Sequence, residues 1–240
     1  MTVLDIDHAG RAYGSGHLLV VALDDVSLQV SAGEFVSVMG PSGSGKSTLL
    51  RLAGGLDRPT SGRILLAGRD LAVLDEAWLA QARRRQVGFV FQEANLLPSL
   101  TAMENVALAL ELDGVRPKAA MAGARGLLES LGLPGAGGRF PAQLSGGEQQ
   151  RVAIARAVAG GRSLLLADEP TGALDALTGE TVMGLLRQRC QTGCAVVLAT
   201  HNVRHAAWAD RVVFLNDGRL AGETGPPAEP ECLLQTGNTR

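Results

Sequence analysis

Gly40-Pro41-Ser42-Gly43-Ser44-Gly45-Lys46-Ser47-Thr48 fits the pattern G-x-x-x-x-G-K-[ST] of a phosphate-binding loop. The apolar run Phe35-Val36-Ser37-Val38-Met39 before it suits a buried strand, and Ser47-Thr48-Leu49-Leu50-Arg51-Leu52-Ala53 after it suits a helix. Strand, loop and helix is the order in which such a loop works. Its glycines let backbone N–H groups wrap a polyphosphate, and the helix N-terminus adds partial positive charge. Lys46 is placed to reach β- and γ-phosphates, and the Ser47 hydroxyl to ligate Mg²⁺. The competing reading is a glycine-rich turn that matches by chance. Against it, the only lysines are Lys46 and Lys118 among 22 basic residues. A chain this biased toward arginine keeps a compact ammonium where phosphates need one.

With 240 residues the chain has room for one large domain or one domain carrying an insertion, and no second Gly-Lys pair offers another nucleotide site. A formal charge of −2 without a long basic tract argues against nucleic acid as a partner. Arg83-Arg84-Arg85 reads as a solvated helix face. Apolar residues make up 46% of the chain, yet no run approaches a membrane span. Met1 to His8 lacks a charged leader followed by an apolar core, so no signal peptide is expected. Cys190, Cys194 and Cys232 are spaced unlike metal ligands and fit buried or idle thiols in a reducing cytoplasm.

Val3 to His8 predicts a first strand, and Val26, Leu28 and Val30, alternating with Ser27 and Gln29, a second. Arg63 to Ala67 predicts another, followed by a tight turn at Gly68-Arg69-Asp70. Asp75 to Arg85 reads as a polar helix and Val87 to Phe91 as a buried strand ending at Gln92. From about residue 95 to 160 the pattern turns helical. Thr101 with Glu104 is a capping box, Pro117 to Leu131 suits a helix, and Ser145 with Glu148 caps a helix over Gln149 to Ala159. Strands resume at Ser163 to Ala167 and Cys194 to Ala199 on either side of a helix over Ala176 to Cys190. Asn216-Asp217-Gly218-Arg219 then signals a hairpin between Arg211 to Leu215 and Leu220 to Glu223. The expectation is an α/β fold: a phosphate-loop core with a mixed sheet, an antiparallel N-terminal part and an inserted helical subdomain. It spans residues 1–223, and a loosely ordered tail follows over 224–240.

Asp168 and Glu169 follow an apolar strand, at the edge where open α/β sheets place ligands. Asp168 is assigned to the Mg²⁺ shell and Glu169 to the general base. Two solvated carboxylates in a strand-end turn are the plainer alternative. The start Ser145-Gly146-Gly147-Glu148 is costly for a helix, since glycine is a poor helix former, unless its bare N–H groups bind a phosphate. One phosphate cannot fill two such starts in one chain unless they meet. Ser145-Gly146-Gly147 is therefore expected to serve the nucleotide of another subunit.

Gly40 to Thr48, Gln92, Leu144 to Glu148, Asp168-Glu169, Ala173-Leu174-Asp175 and His201, in that order, resemble the motif series of ABC-transporter ATPase subunits. The resemblance covers about Val3 to Glu223. Glu148-Gln149-Gln150-Arg151 and Asp168 to Asp175 look most like the branch serving lipoprotein-release, macrolide-export and cell-division permeases. Ala173 and Asn202 stand where that branch usually has Asn and Asp. The resemblance implies ATP as the bound nucleotide and a head-to-tail dimer of two copies, with each ATP between one P-loop and the other copy's Ser145-Gly146-Gly147-Glu148. It implies further that Tyr13 stacks on adenine, that Gln92 senses Mg²⁺ and a separate membrane permease, that Asp175 couples the two sites, and that His201 contacts the γ-phosphate. Such a subunit sits on the cytoplasmic face of the membrane through its permease.

An ABC-type ATPase giving a mechanical signal to a membrane partner has the same motifs and stays open as an alternative. A GTPase would need Asn-Lys-x-Asp, whereas Lys118 follows Pro117. A DNA-repair relative would want long coiled coils or zinc-binding cysteine pairs.

Overall fold

Residues 1–225 are described in a computed structural model of the chain. Alternating side chains build its first sheet. β1 (Thr2–Tyr13) and β2 (Val20–Ser31) pair antiparallel and bury Leu4, Ile6, Leu23, Val26, Leu28 and Val30. Both strands outrun the segments that the alternation marks. The register shifts between Ile6 and Ala9 and again before Arg11 and Ala12, so the two-residue period breaks while the pairing continues. Tyr13 thereby ends a strand, opposite Val20.

β3 (Phe35–Met39), buried throughout, leads into the glycine loop and α1 (Lys46–Ala53). β4 (Ser61–Leu66) joins the far side of β1, and β5 (Arg69–Asp70) pairs with it. α2 (Glu76–Gln86) starts on Asp75, whose carboxylate accepts the Trp78 N–H at 2.8 Å, and β6 (Val87–Val90) follows directly.

The inserted part consists of α3 (Ala102–Leu112), α4 (Pro117–Ser130) and α5 (Gly146–Val158). Both expected capping boxes are formed, and α4 opens on its proline, which has no N–H to leave unpaired. The helices meet through Ala102, Val106, Ala120, Ala124, Leu128 and Val152. α5 begins at Gly146 rather than Gln149, so Gly146 and Gly147 lie inside its first turn.

β7 (Leu164–Asp168), α6 (Ala176–Gln191), β8 (Ala195–Ala199), α7 (Val203–Ala206), β9 (Arg211–Asn216) and β10 (Arg219–Thr224) complete the described chain. α7 is too short to show a helical period in sequence. Asp217 and Gly218, at φ 46° and 75°, form the expected hairpin turn. Because β10 reaches Thr224, the tail expected from residue 224 begins inside a strand. Its remainder from 226, with Cys232, lies outside the described residues. Cys190 and Cys194 are free and buried, and burial pushes the Cys194 thiol up to about 11, which keeps it protonated and inert at neutral pH.

The strands form two sheets, β2-β1-β4-β5 and β10-β9-β3-β8-β7-β6. The first is antiparallel. In the second, β9, β3, β8, β7 and β6 run parallel and β10 antiparallel. The expected mixed sheet, antiparallel N-terminal part and helical insertion are all present. Parallel strands end on one edge, and from that edge emerge the glycine loop after β3, Gln92 after β6, Asp168-Glu169 at β7 and His201 after β8.

Candidate active site

The glycine loop is held shut by its own lysine. Lys46 is 8% exposed, and its Nζ donates to the Gly40 and Pro41 carbonyls, at 2.8 Å each. A hairpin turn props the loop from behind: Gly218 N–H donates to the Ser44 carbonyl at 3.1 Å, and Asp24 N–H to the Gly218 carbonyl at 2.8 Å. Gly45 has φ 103°, and a Cβ there would lie 2.4 Å from the Ala22 carbonyl oxygen. At Gly40 a Cβ would come within 2.0 Å of the Leu215 carbonyl oxygen. Gly40→Ala should therefore lower unfolding stability by about 3 kcal/mol, as forced overpacking against backbone does. Denaturant unfolding checks this, and an unchanged midpoint would show that the loop yields.

Asp168 ends β7 8% exposed, beside Ser47 and Lys46. Burial pushes its pKa up and the Glu169 charge adds to the rise, while Ser47 and Lys46 pull it down. A cation within reach would favour its ionised form further. Glu169 follows in a left-handed backbone conformation, φ 45°, with its N–H tied to the Ala199 carbonyl at 2.9 Å. Its carboxylate accepts the Thr200 hydroxyl at 3.1 Å and the His201 N–H at 2.9 Å, and His201 Nδ1 lies 2.6 Å from the same oxygen as that N–H. The Glu169 side chain is 15% exposed and that of His201 77% exposed, so the pair faces the opening.

These groups line one cleft of about 640 Å³: Ser42, Gly43, Gly45, Lys46, Ser47 and Thr48 on one side, Gln92, Asp168, Glu169 and His201 on the other. Val20, Val21 and Ala22 of β2 close its end. Tyr13 does not line it. Its hydroxyl donates to Asp57 at 2.8 Å and Arg11 lies over its ring at 4.4 Å, while its strand partner Val20 faces the cleft.

Ser145, Gly146, Gly147, Glu148 and Asp175 lie outside this cleft. Ser145 and Gly146 are exposed, and a Cβ on Gly147 would lie 3.1 Å from the Ala173 carbonyl oxygen, so the start of α5 packs on the turn before α6. The Ser145 N–H and the Arg139 guanidinium, 2.7 Å away, hold the Glu148 carboxyl below its usual range. Asp175 caps α6, accepting the Thr178 hydroxyl at 2.7 Å and the Thr178 N–H at 3.0 Å, which lower its pKa. Such a cap stabilises a helix by about 1 kcal/mol.

Sequence reasoning missed Thr200, Gln150 and Arg156. Gln150 is buried and donates to the Phe91 carbonyl at 3.1 Å. Arg156 donates to the Asn95 and Ala94 carbonyls at 2.8 and 3.0 Å. The loop carrying Gln92 is thus strapped to α5 at both ends. Gln150 shares the apolar face of α5 with Ala153, Ile154 and Ala157, and a polar residue on such a face needs a partner, which was the available signal.

A family model described as "ABC transporter" matches residues 23–172. The chain belongs to the ABC transporter family. Among curated ABC proteins, the macrolide export ATP-binding/permease protein MacB of Salmonella paratyphi A is 48% identical over 227 residues, 95% of this chain and 35% of the relative. MacB 1/2 of Paracoccus denitrificans is 48% identical over 91% of this chain and 33% of its own length. The chain thus spans about a third of the curated relatives that it matches. The ATP-binding cassette MJ0796, solved as a post-hydrolysis dimer bound to ADP and Pi, aligns with a TM-score of 0.90 at 40% identity, covering 94% of this chain and all of that one. In this ABC ATPase cassette, Asn202, where the resemblance led us to expect Asp, caps α7: its side chain accepts the Arg204 N–H at 2.9 Å.

Proposed function

We propose that two copies of this cassette close head to tail on two ATP molecules and hydrolyse them to drive a membrane permease of the export or membrane-extraction type. One observation carries the reading. The strand ends deliver a phosphate loop and an acid pair into one cleft, while the glycine helix start that would complete a nucleotide site begins exposed, outside that cleft. Each cleft is half a site.

On this reading Lys46 releases the Gly40 and Pro41 carbonyls and turns to the β- and γ-phosphates. Water attacks the γ-phosphorus, the bridging P–O bond to ADP breaks, and Glu169 takes the proton from the water. His201 contacts the γ-phosphate, Tyr13 leaves Asp57 to stack on adenine, and the partner's copy of the α5 start covers the far phosphate face. Asp175, in the turn against which Gly147 packs, lies where the two copies would meet. The Ser47 hydroxyl, the Gln92 amide oxygen and the Asp168 carboxylate are hard oxygen donors of the kind Mg²⁺ takes, and they would hold it. When bound, the ion neutralises phosphate charge.

Phe91, the residue before Gln92, lines a groove of about 440 Å³ together with Phe89, Ala109, Leu112, Arg84 and Arg162. It offers the permease a dock beside the loop that senses it. No helix among the described residues is long and apolar enough to cross a membrane. On this reading the cassette sits on the inner membrane face through its permease. Turnover per chain should rise with protein concentration until dimers saturate, and be nearly absent in dilute monomer. Concentration-independent turnover would overturn the shared site. Co-purification with a membrane protein and ATP-dependent solute movement test the transport reading, and binding without movement would favour a mechanical signal.

A further inference from the structure

Two segments that leave neighbouring strands carry the chemistry: Glu169 follows β7 and His201 follows β8. Beyond the Glu169 N–H on the Ala199 carbonyl at the end of β8, their side chains touch at two places. The first is the Glu169 carboxylate against Thr200 and His201. The second is further along both segments, where Thr171 Oγ1 and His205 Nδ1 lie 2.9 Å apart. Thr171 is buried, and the α6 backbone closes over the pair. A Cβ on Gly179 would lie 3.6 Å from His205 Nε2 and 3.7 Å from the Thr171 methyl.

The first contact cannot last through turnover, because Glu169 must turn to water and His201 to the γ-phosphate. The second contact involves neither. Glu169 also sits in a backbone region that costs about 1–3 kcal/mol and persists only where its surroundings over-determine it. The turn after it is already fixed by Gly172 N–H on the Glu169 carbonyl at 3.1 Å and Leu174 N–H on the Thr171 carbonyl at 3.0 Å. What remains is to fix that turn against α7.

We infer that His205 is a positioning residue, whose bond to Thr171 holds the Glu169 segment in register with the His201 segment while both active groups engage the nucleotide. The inference rests on Glu169 being the base. Burial lowers the pKa of His205, against the charges of Glu180 on α6 and Glu169, and with that of His201, so the ring is neutral at ordinary pH.

His205→Ala should lower kcat about tenfold, since a small misplacement of a catalytic group is enough, while KM for ATP stays within about twofold. His205→Asn, which puts an amide near the Nδ1 position, should restore most of the loss. Thr171→Val keeps the local volume and should match His205→Ala, and the double variant should be no worse than either single one. Wild-type kcat in both single variants overturns the proposal, as does an Asn variant no better than Ala, which would indicate packing alone. Glu169→Gln decides the base separately. If it keeps turnover, the assignment of the base falls whatever His205 does. If it loses turnover while His205→Ala does not, only the present inference falls.

Discussion

Glu169→Gln should bind ATP, lose turnover by ~10²–10⁴, and accumulate as a dimer when ATP is added. The substitution keeps the shape of the side chain: its amide oxygen, in the Oε1 position, still accepts the His201 N–H, now at 2.9 Å, and its NH2, in the Oε2 position, donates to the Thr200 hydroxyl oxygen, now at 3.1 Å. The backbone at residue 169 is equally strained with either side chain, and unfolding stability should scarcely change. What the amide cannot do is take a proton from water. With chemistry blocked, the step that reopens the pair is lost and the closed form collects. ATPase assay with size-exclusion chromatography reads both effects. A variant that stayed monomeric with ATP and kept its turnover would overturn the sandwich mechanism.

Gly146→Asp should fold like the parent and yet fail to dimerise with ATP, with turnover down by at least ~10², the loss typical of removing one anion-stabilising contact. Gly146 is exposed, and a Cβ there meets nothing within 4 Å. A carboxylate in the first turn of a helix is favourable by about 0.3–1 kcal/mol. Within one chain the change is therefore harmless. Across a pair it places a negative charge where a phosphate must come. Mixing supplies the decisive control. Gly146→Asp retains a sound glycine loop and Lys46→Ala a sound α5 start, so a mixed dimer contains one intact site. Recovered turnover on mixing two inactive variants supports the head-to-tail arrangement, and no recovery speaks against it.

What was legible in the sequence was chemistry local in the chain. The glycine loop, Asp168-Glu169 and the two capping boxes each lie within nine or fewer consecutive positions, and strand or helix geometry alone makes their members neighbours. Contacts between distant segments were not legible. Thr200 beneath Glu169, His205 against Thr171 and Gln150 under Phe91 join residues separated by 31, 34 and 59 positions, and nothing in the residues themselves says that they meet. The surroundings of Tyr13 illustrate the same limit. The resemblance implied that it stacks on adenine, but its hydroxyl bond to Asp57, from 44 positions away, was not foreseen. Strand lengths failed for a different reason: bulges in β1 scramble the alternation without ending the pairing.

The double strap between α5 and the loop of Gln92 makes those two elements one moving part. Gln150 and Arg156 lie about 9 Å apart along the helix and grip the loop at residue 91 and at residues 94 and 95, so neither end can shift alone. Gln92 lines this chain's own cleft, whereas Gly146, about 6 Å along the same helix from Gln150, is exposed outside it. In the proposed head-to-tail pair, a push from a permease on one loop would be delivered at once to the nucleotide beneath it and to the nucleotide held by the other copy. The pair would fire as a unit because each half carries the trigger of one chamber and the wall of the next.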